Sequence, residues 1–394
     1  MQKSSDITRH MKRLKDTSFI LLIQFVLLSI FISAANAAVP IPAAPKVAAR
    51  NYILMDANSG YVLAEKDADA QVEPASITKL MTSYVVYKEM EAGRLSMDDM
   101  VTISEKAWRM GGSRMYVEVD KQVSVHDLMK GLIIQSGNDA TVALAEHIAG
   151  TEHAFVDMMN QYASELGMAG TYFKNSTGWP EEGHLTTARD IAKLAVAVIN
   201  EYPEHYAWYK EKVFTYNNIK QYNRNKLLWS DDTVDGIKTG HTESAGYCLV
   251  ASAIRSDMRL VSVVLGTDSE KSRASVSKSL LNYGFRFFET HKLYAAGEIL
   301  NRSRVWKGDS EKVSLGLMDD LYVTIPRGSY GQLEAVMDVD ANIVAPLEKG
   351  SEHGAVRVSL SEEEMLQTPL VALESVSEGS LFQIAKDHIL QLFN

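Results

Sequence analysis

The chain predicts an α/β (α+β) architecture: an antiparallel sheet flanked by helices, followed by a small all-β domain. Three observations carry this. Two short apolar runs, 52–55 and 61–64, flank the turn residues Asp56-Ala57-Asn58-Ser59-Gly60, the pattern of a hairpin. Two longer strand-like runs, 246–253 and 259–266, return only after a long stretch of helical spacing. Near 292–300 the composition shifts, and short strand-like runs alternate with turns. Helices packed on one antiparallel sheet, with a separate β unit after it, accommodate all three.

The N-terminus indicates the compartment. Lys3, Arg9, Lys12, Arg13 and Lys15 precede an apolar run from Phe19 to Ile32, and Ala35-Asn36-Ala37 follows. This is the pattern of a secretory signal over 1–37, cut after Ala37; the alternative is an uncleaved anchor, for which the run is short. Either way the bulk of the chain is exported. A formal charge of -10 argues against a general nucleic-acid binder, because phosphate affinity needs a basic face. Cys248 is the only cysteine, so no internal disulfide forms, and its apolar neighbours place it in a buried strand.

After the first hairpin comes Glu73-Pro74-Ala75-Ser76-Ile77-Thr78-Lys79, opening an apolar helix. Residues i and i+3 share a helix face, so the Lys79 amine lies over the Ser76 hydroxyl, and Pro74 suits a helix start. Helical spacing runs from Ser124, a plausible N-cap, to Gln135, and stops at Ser136-Gly137-Asn138. Further helices are expected at 140–148, 154–166 and 188–199, with a loop over 174–187. Val234-Asp235-Gly236-Ile237 leads into Lys238-Thr239-Gly240 as a strand, and a helix over 273–288 closes the region. The first domain is thus expected over 38–291 and the β domain, expected to be a sandwich, over 292–376, with strands near 304–306, 321–325, 333–339, 355–360 and 370–376.

The last stretch, 377–394, places Leu381, Phe382, Ala385, Ile389, Leu392 and Phe393 on one helical stripe, away from Gln383, Asp387 and Gln391. Such a helix can lie in a membrane surface; the alternative is a terminal helix docked on its own domain. Its only basic lysine or arginine is Lys386, so the apolar face would carry any lipid binding.

Three motifs now stand in order: Ser76-x-x-Lys79, Ser136-Gly137-Asn138 and Lys238-Thr239-Gly240. Each is cheap by chance; together, in these settings, the chain resembles the low-molecular-mass penicillin-binding proteins of the D-alanyl-D-alanine carboxypeptidase family. The resemblance runs from Ala38 to Asn394 and includes 223–229, 234–247, 284–290 and 324–328. It implies a penicillin-binding/β-lactamase-like transpeptidase fold, no cofactor, peptidoglycan stem peptides as substrate and β-lactams as inhibitors. Ser76 would be the nucleophile, Lys79 its base, and Ser136 a proton relay toward the leaving amine. Asn138 would bind the substrate peptide group, and the backbone N–H groups of Ser76 and His241 would form the oxyanion hole. The strand carrying Lys238, Thr239, Gly240 and His241 would pair with the extended substrate. Arg273, 35 residues after Lys238, would receive the terminal carboxylate, with Arg224 in support.

A serine needs a base to become nucleophilic, and Lys79 serves only if its pKa falls far below the usual range. Burial, the positive helix end and the charge of Lys238 are the expected causes. The loop 174–190 lacks the E-x-x-L-N of class A β-lactamases; Glu181 and Glu182 read as solvated charges, so penicillin should be released slowly. A D,D-endopeptidase, a β-lactamase and a non-enzymatic wall-binding protein are the competing readings.

Overall fold

Alternating apolar residues along the central strands feed two hydrophobic cores, one on each face of a sheet. The computed structural model describes residues 41–391; the signal-like segment, Leu392 and Phe393 lie outside them. The described residues form two compact units, 42–298 with 317–324, and 299–316 with the chain from 325 onward.

In the larger unit, β1 (Asn51–Asp56) and β2 (Val62–Lys66) form the expected hairpin. With β3 (Val234–Thr242), β4 (Gly246–Arg255) and β5 (Met258–Thr267) they make an antiparallel sheet in the order β2-β1-β5-β4-β3. Successive side chains of a strand face opposite ways. Ile53, Val250, Val261 and Val263 therefore enter one core, and Leu54, Leu249, Leu260 and Val264 the other. Cys248 is buried in β4, where burial raises its thiol pKa.

The first core is filled by α1 (Lys79–Glu91), α2 (Val125–Lys130), α3 (Asn138–Ala149), α4 (Glu152–Glu165) and α5 (Ala188–Glu201). The second is closed by α6 (Glu270–Phe287) through Val276, Leu280 and Leu281. Ser124 caps α2 by accepting the Asp127 N–H, as its residue type leads one to expect. The helix expected to run on to Gln135 instead widens into a π-turn, Gly131–Gln135, and stops at Ser136 in the left-handed region, φ 63°. Strand β3 has one neighbour, β4, and so presents a free edge.

The expected boundary at 291/292 falls inside β6 (Phe288–Tyr294), and the units divide later, after 298. The run 321–325, expected in the β domain, mostly belongs to the larger unit. There Thr324 Oγ1 hydrogen-bonds Ser59 Oγ at 2.6 Å and Thr290 Oγ1 at 3.0 Å.

The smaller unit contains β7 (Asn301–Trp306), β8 (Lys312–Gly316), β9 (Leu333–Val339), β10 (Ile343–Val344), β11 (Glu352–Leu360) and β12 (Glu363–Ala372). These pair in the order β9-β11-β12-β8-β7-β10; residues 301–304 of β7 pair with β8, and Val305 and Trp306 pair in parallel with β10. Register shifts in the β11–β12 pair add twist, and Val313, Leu315, Val356, Val358 and Leu370 are buried.

The helix α7 (Leu381–Gln391) is held to this unit by its polar side. Asp387, buried, accepts the Lys307 N–H at 2.7 Å, and Gln391 donates to Asn342 at 3.1 Å. Leu381 and Phe382 point outward, 87% and 81% exposed. Among the described residues no helix is long and apolar enough to cross a membrane.

Candidate active site

Pro74 leads into a single 3-10 turn, Ala75–Thr78, and α1 starts at Lys79. The three-residue spacing brings Lys79 Nζ to 3.0 Å from Ser76 Oγ. Lys79 is fully buried and also donates to the Thr177 carbonyl at 2.6 Å. Its pKa is pushed down to about 7, first by burial and then by the charge of Arg224, with Asp139 opposing. A neutral amine bonded in this way keeps one N–H on Thr177 and can turn its lone pair toward the serine proton.

Ser136 and Lys238 form the second half of the site. Lys238 Nζ donates to Ser136 Oγ at 2.8 Å and to the Thr239 carbonyl at 3.1 Å. Burial, then the charges of Lys79, Arg224 and Arg273, drive Lys238 well below the ordinary lysine range. Two like charges this close disfavour each other, so at most one of the pair carries its proton comfortably. Arg224 adds to the positive surroundings of both lysines.

Asn138 opens α3 and is fixed from both ends: its N–H donates to Ser113 O and its Nδ2 to Gly111 O, each at 2.7 Å. Beside it, Asp139 accepts four backbone N–H groups, from Met115 (2.9 Å), Tyr116 (2.8 Å), Val117 (3.2 Å) and Ala140 (2.9 Å). This carboxylate ties the 111–117 loop to the Ser136-Gly137-Asn138 corner. Reading the motif alone missed it; an Asp in the first turn of a helix was the available signal.

The edge strand β3 passes so near the Ser76 turn that a Cβ on Gly240 would lie 3.1 Å from Ile77 Cγ1 and 3.2 Å from Pro74 O. A side chain there would press on the turn by a few tenths of an ångström, which glycine avoids. Arg273, buried in the first turn of α6, donates to Gly240 O at 3.2 Å. The His241 ring lies against Tyr247, centroids 3.9 Å apart. A cleft of about 740 Å³ is lined by Ser76, Ser136, Asn138, Thr239, Gly240, His241, Arg224 and Arg273. Lys79 and Lys238 lie beneath it, bonded to its two serines, so all ten residues singled out in the sequence converge.

The loop 174–184 supplies what the sequence did not reveal. Asn175 Oδ1 accepts the N–H groups of Thr177 (3.3 Å), Gly178 (2.8 Å) and Trp179 (3.0 Å), fixing the carbonyl that holds Lys79. Asn turns of this kind leave a weak sequence signal. Gly178, φ 80°, sits where a Cβ would fall 1.8 Å from Ala75 O. His184 bridges the loop to the Ser76 turn through Thr78 Oγ1 at 2.9 Å, and burial lowers its pKa to about 4. Glu181 and Glu182 are exposed, as expected.

The fold and this pair of Ser–Lys contacts define an active-site-serine penicillin-binding enzyme. Residues 38–269 match the D-alanyl-D-alanine carboxypeptidase family and residues 288–378 the penicillin-binding protein 5 C-terminal domain, so the chain belongs to the D-alanyl-D-alanine carboxypeptidase family. It is 44% identical over 399 residues to D-alanyl-D-alanine carboxypeptidase DacA of Escherichia coli (strain K12), covering 98% of this chain and 97% of that protein. Penicillin-binding protein 5 from Haemophilus influenzae superposes with a TM-score of 0.81 at 44% identity, covering 86% of this chain and 100% of that one. The ampicillin-bound penicillin-binding protein D2 from Listeria monocytogenes gives a TM-score of 0.57 at 29% identity, over 62% of this chain and 100% of that one. D-alanyl-D-alanine carboxypeptidase activity follows from these relatives.

Proposed function

We propose that this carboxypeptidase works through an acyl-enzyme on Ser76, removing the last D-alanine from peptidoglycan stem peptides. The observation that carries the reading is the buried Lys79 amine 3.0 Å from the Ser76 hydroxyl, with a pKa near neutrality. Lys79 takes the Ser76 proton as Oγ bonds to the penultimate carbonyl carbon. The backbone N–H groups of Ser76 and His241 receive the oxyanion, an arrangement in which one lost donor typically costs about 10²–10³ in rate. The C–N bond then breaks, and the leaving D-alanine takes a proton relayed through Ser136 from the lysine pair. Water, deprotonated by the same amine, releases the shortened peptide and restores Ser76.

Asn138 and the free edge of β3 hold the extended substrate by main-chain hydrogen bonds, and Thr239, Arg273 and Arg224 receive the terminal carboxylate. β-Lactams would acylate the same serine and leave slowly, because Glu181 and Glu182 are exposed and Glu181 is turned to Asn175 Nδ2 at 3.1 Å, and neither lines the cleft. Mass spectrometry after penicillin treatment tests this: one adduct on the Ser76 peptide, persisting for minutes, is expected, and an unmodified Ser76 refutes it.

The protein is proposed to act outside the cytoplasm, on the outer face of the cytoplasmic membrane. The signal-like N-terminus and α7 support this: the helix is fastened by Asp387 and Gln391 while Leu381, Phe382 and Ile389 stay exposed. A face of this kind binds lipid by apolar burial.

A further inference from the structure

We propose that the indole of Trp179 forms an apolar subsite for the side chain of the residue preceding D-Ala-D-Ala, favouring a long unbranched alkyl chain. This deepens the reading above and rests on it. The cleft has two ends. Arg273, Thr239, His241 and Tyr247 gather at one, around the Gly240 carbonyl. Trp179, Gly112 and Asn138 gather at the other: a Cβ on Gly112 would lie 3.3 Å from Trp179 Cζ3 and 3.0 Å from Asn138 Nδ2. The cationic end suits the carboxylate of the departing residue, so the indole end takes the acyl side of the peptide.

Trp179 is 50% exposed although Ser176, Thr177 and Gly178 just before it are buried. Its position is nevertheless fixed. The backbone N–H donates to Asn175 Oδ1 at 3.0 Å, and the carbonyl accepts from Asn175 Nδ2 at 3.0 Å. Its ring edge rests on Gly111 and Gly112, which bring no side chains of their own; a Cβ on Gly111 would meet Cη2 at 3.5 Å. The remaining ring surface lines the cleft with Pro180. A large aromatic held open to solvent by a built loop leaves apolar area to be covered by a ligand. A straight alkyl chain can lie flat on it without disturbing the groups around Ser76.

Two peptides ending in D-Ala-D-Ala, preceded by Nε-acetyl-lysine in one and alanine in the other, test this without a charge difference. Covering an indole face with several methylenes predicts a preference of roughly tenfold in kcat/KM for the acetyl-lysine peptide. Trp179→Ala should erase that preference, and Trp179→Phe should keep most of it. An equal fall for both peptides in Trp179→Ala, or a preference that survives it, overturns the proposal; the first would mean that the ring only steadies the Gly111–Gly112 segment. A labelled-penicillin adduct on Ser76 is checked in each variant. Absence of the adduct from the unaltered protein would count against the acyl-enzyme itself, whereas its presence with no side-chain preference counts against the subsite alone.

Discussion

Protonating Lys79 is the most direct way to test the proposed chemistry. Acidification converts the amine beside Ser76 into an ammonium that can accept no proton, and the pKa near 7 sets where this happens. Two pH units below that value only about 1% of the amine is neutral, so acylation should fall about a hundredfold, tenfold per unit. Above it the rate should level off. An ordinary exposed lysine would behave otherwise, its rate still climbing toward a pKa of about 10.4. The assay is the second-order rate of acylation by a fluorescent penicillin from about pH 5 to about pH 10, which isolates the first chemical step. A flat profile refutes the assignment of Lys79 as base. A rise with no plateau before about pH 9 refutes the argument that burial and Arg224 have tuned it.

Three further outcomes are expected. Gly178→Ala pushes a methyl into the Ala75 carbonyl; a shift of about 1 Å at Ser76 would lower acylation about 10²-fold, read with the same fluorescent penicillin. Asp139→Ala orphans four backbone N–H groups and should cost about 2–4 kcal/mol in chemical denaturation; an unchanged midpoint would sink that account. Replacing Leu381 and Phe382 together by serine should move the protein from vesicle pellet to supernatant in a sedimentation assay, with acylation of Ser76 unaffected. Retention in the pellet would exclude α7 as the lipid contact.

Much of this was legible in the residues, for identifiable reasons. Strand alternation at 246–253 and 259–266 survives because each face meets a different core, and the Ser76–Lys79 contact follows from helical periodicity alone. The hub residues Asp139 and Asn175 were not legible. Each acts by accepting backbone N–H groups, and such bonds impose no periodic pattern on the chain. The return of 317–324 to the larger unit was hidden because it depends on Thr324 meeting Ser59 and Thr290, contacts between distant residues. At the far end, the expectation of a helix docked on its own domain describes one side of α7, through Asp387, while Leu381 and Phe382 on the other side stay exposed.

The seclusion of Lys79 bears on the endurance of the fold as well as on its reactivity. An amine whose proton leaves at about 7 in the folded chain, but near 10.5 once the chain opens, makes the native state the poorer proton carrier between those limits. Resistance to unfolding should therefore climb with alkalinity across that window, by up to about 1.4 kcal/mol per pH unit from this group. The part of the stability that this amine withholds is therefore recovered only on the basic side of that window, and an inert variant carrying methionine at this position should outlast the enzyme on heating at neutral pH.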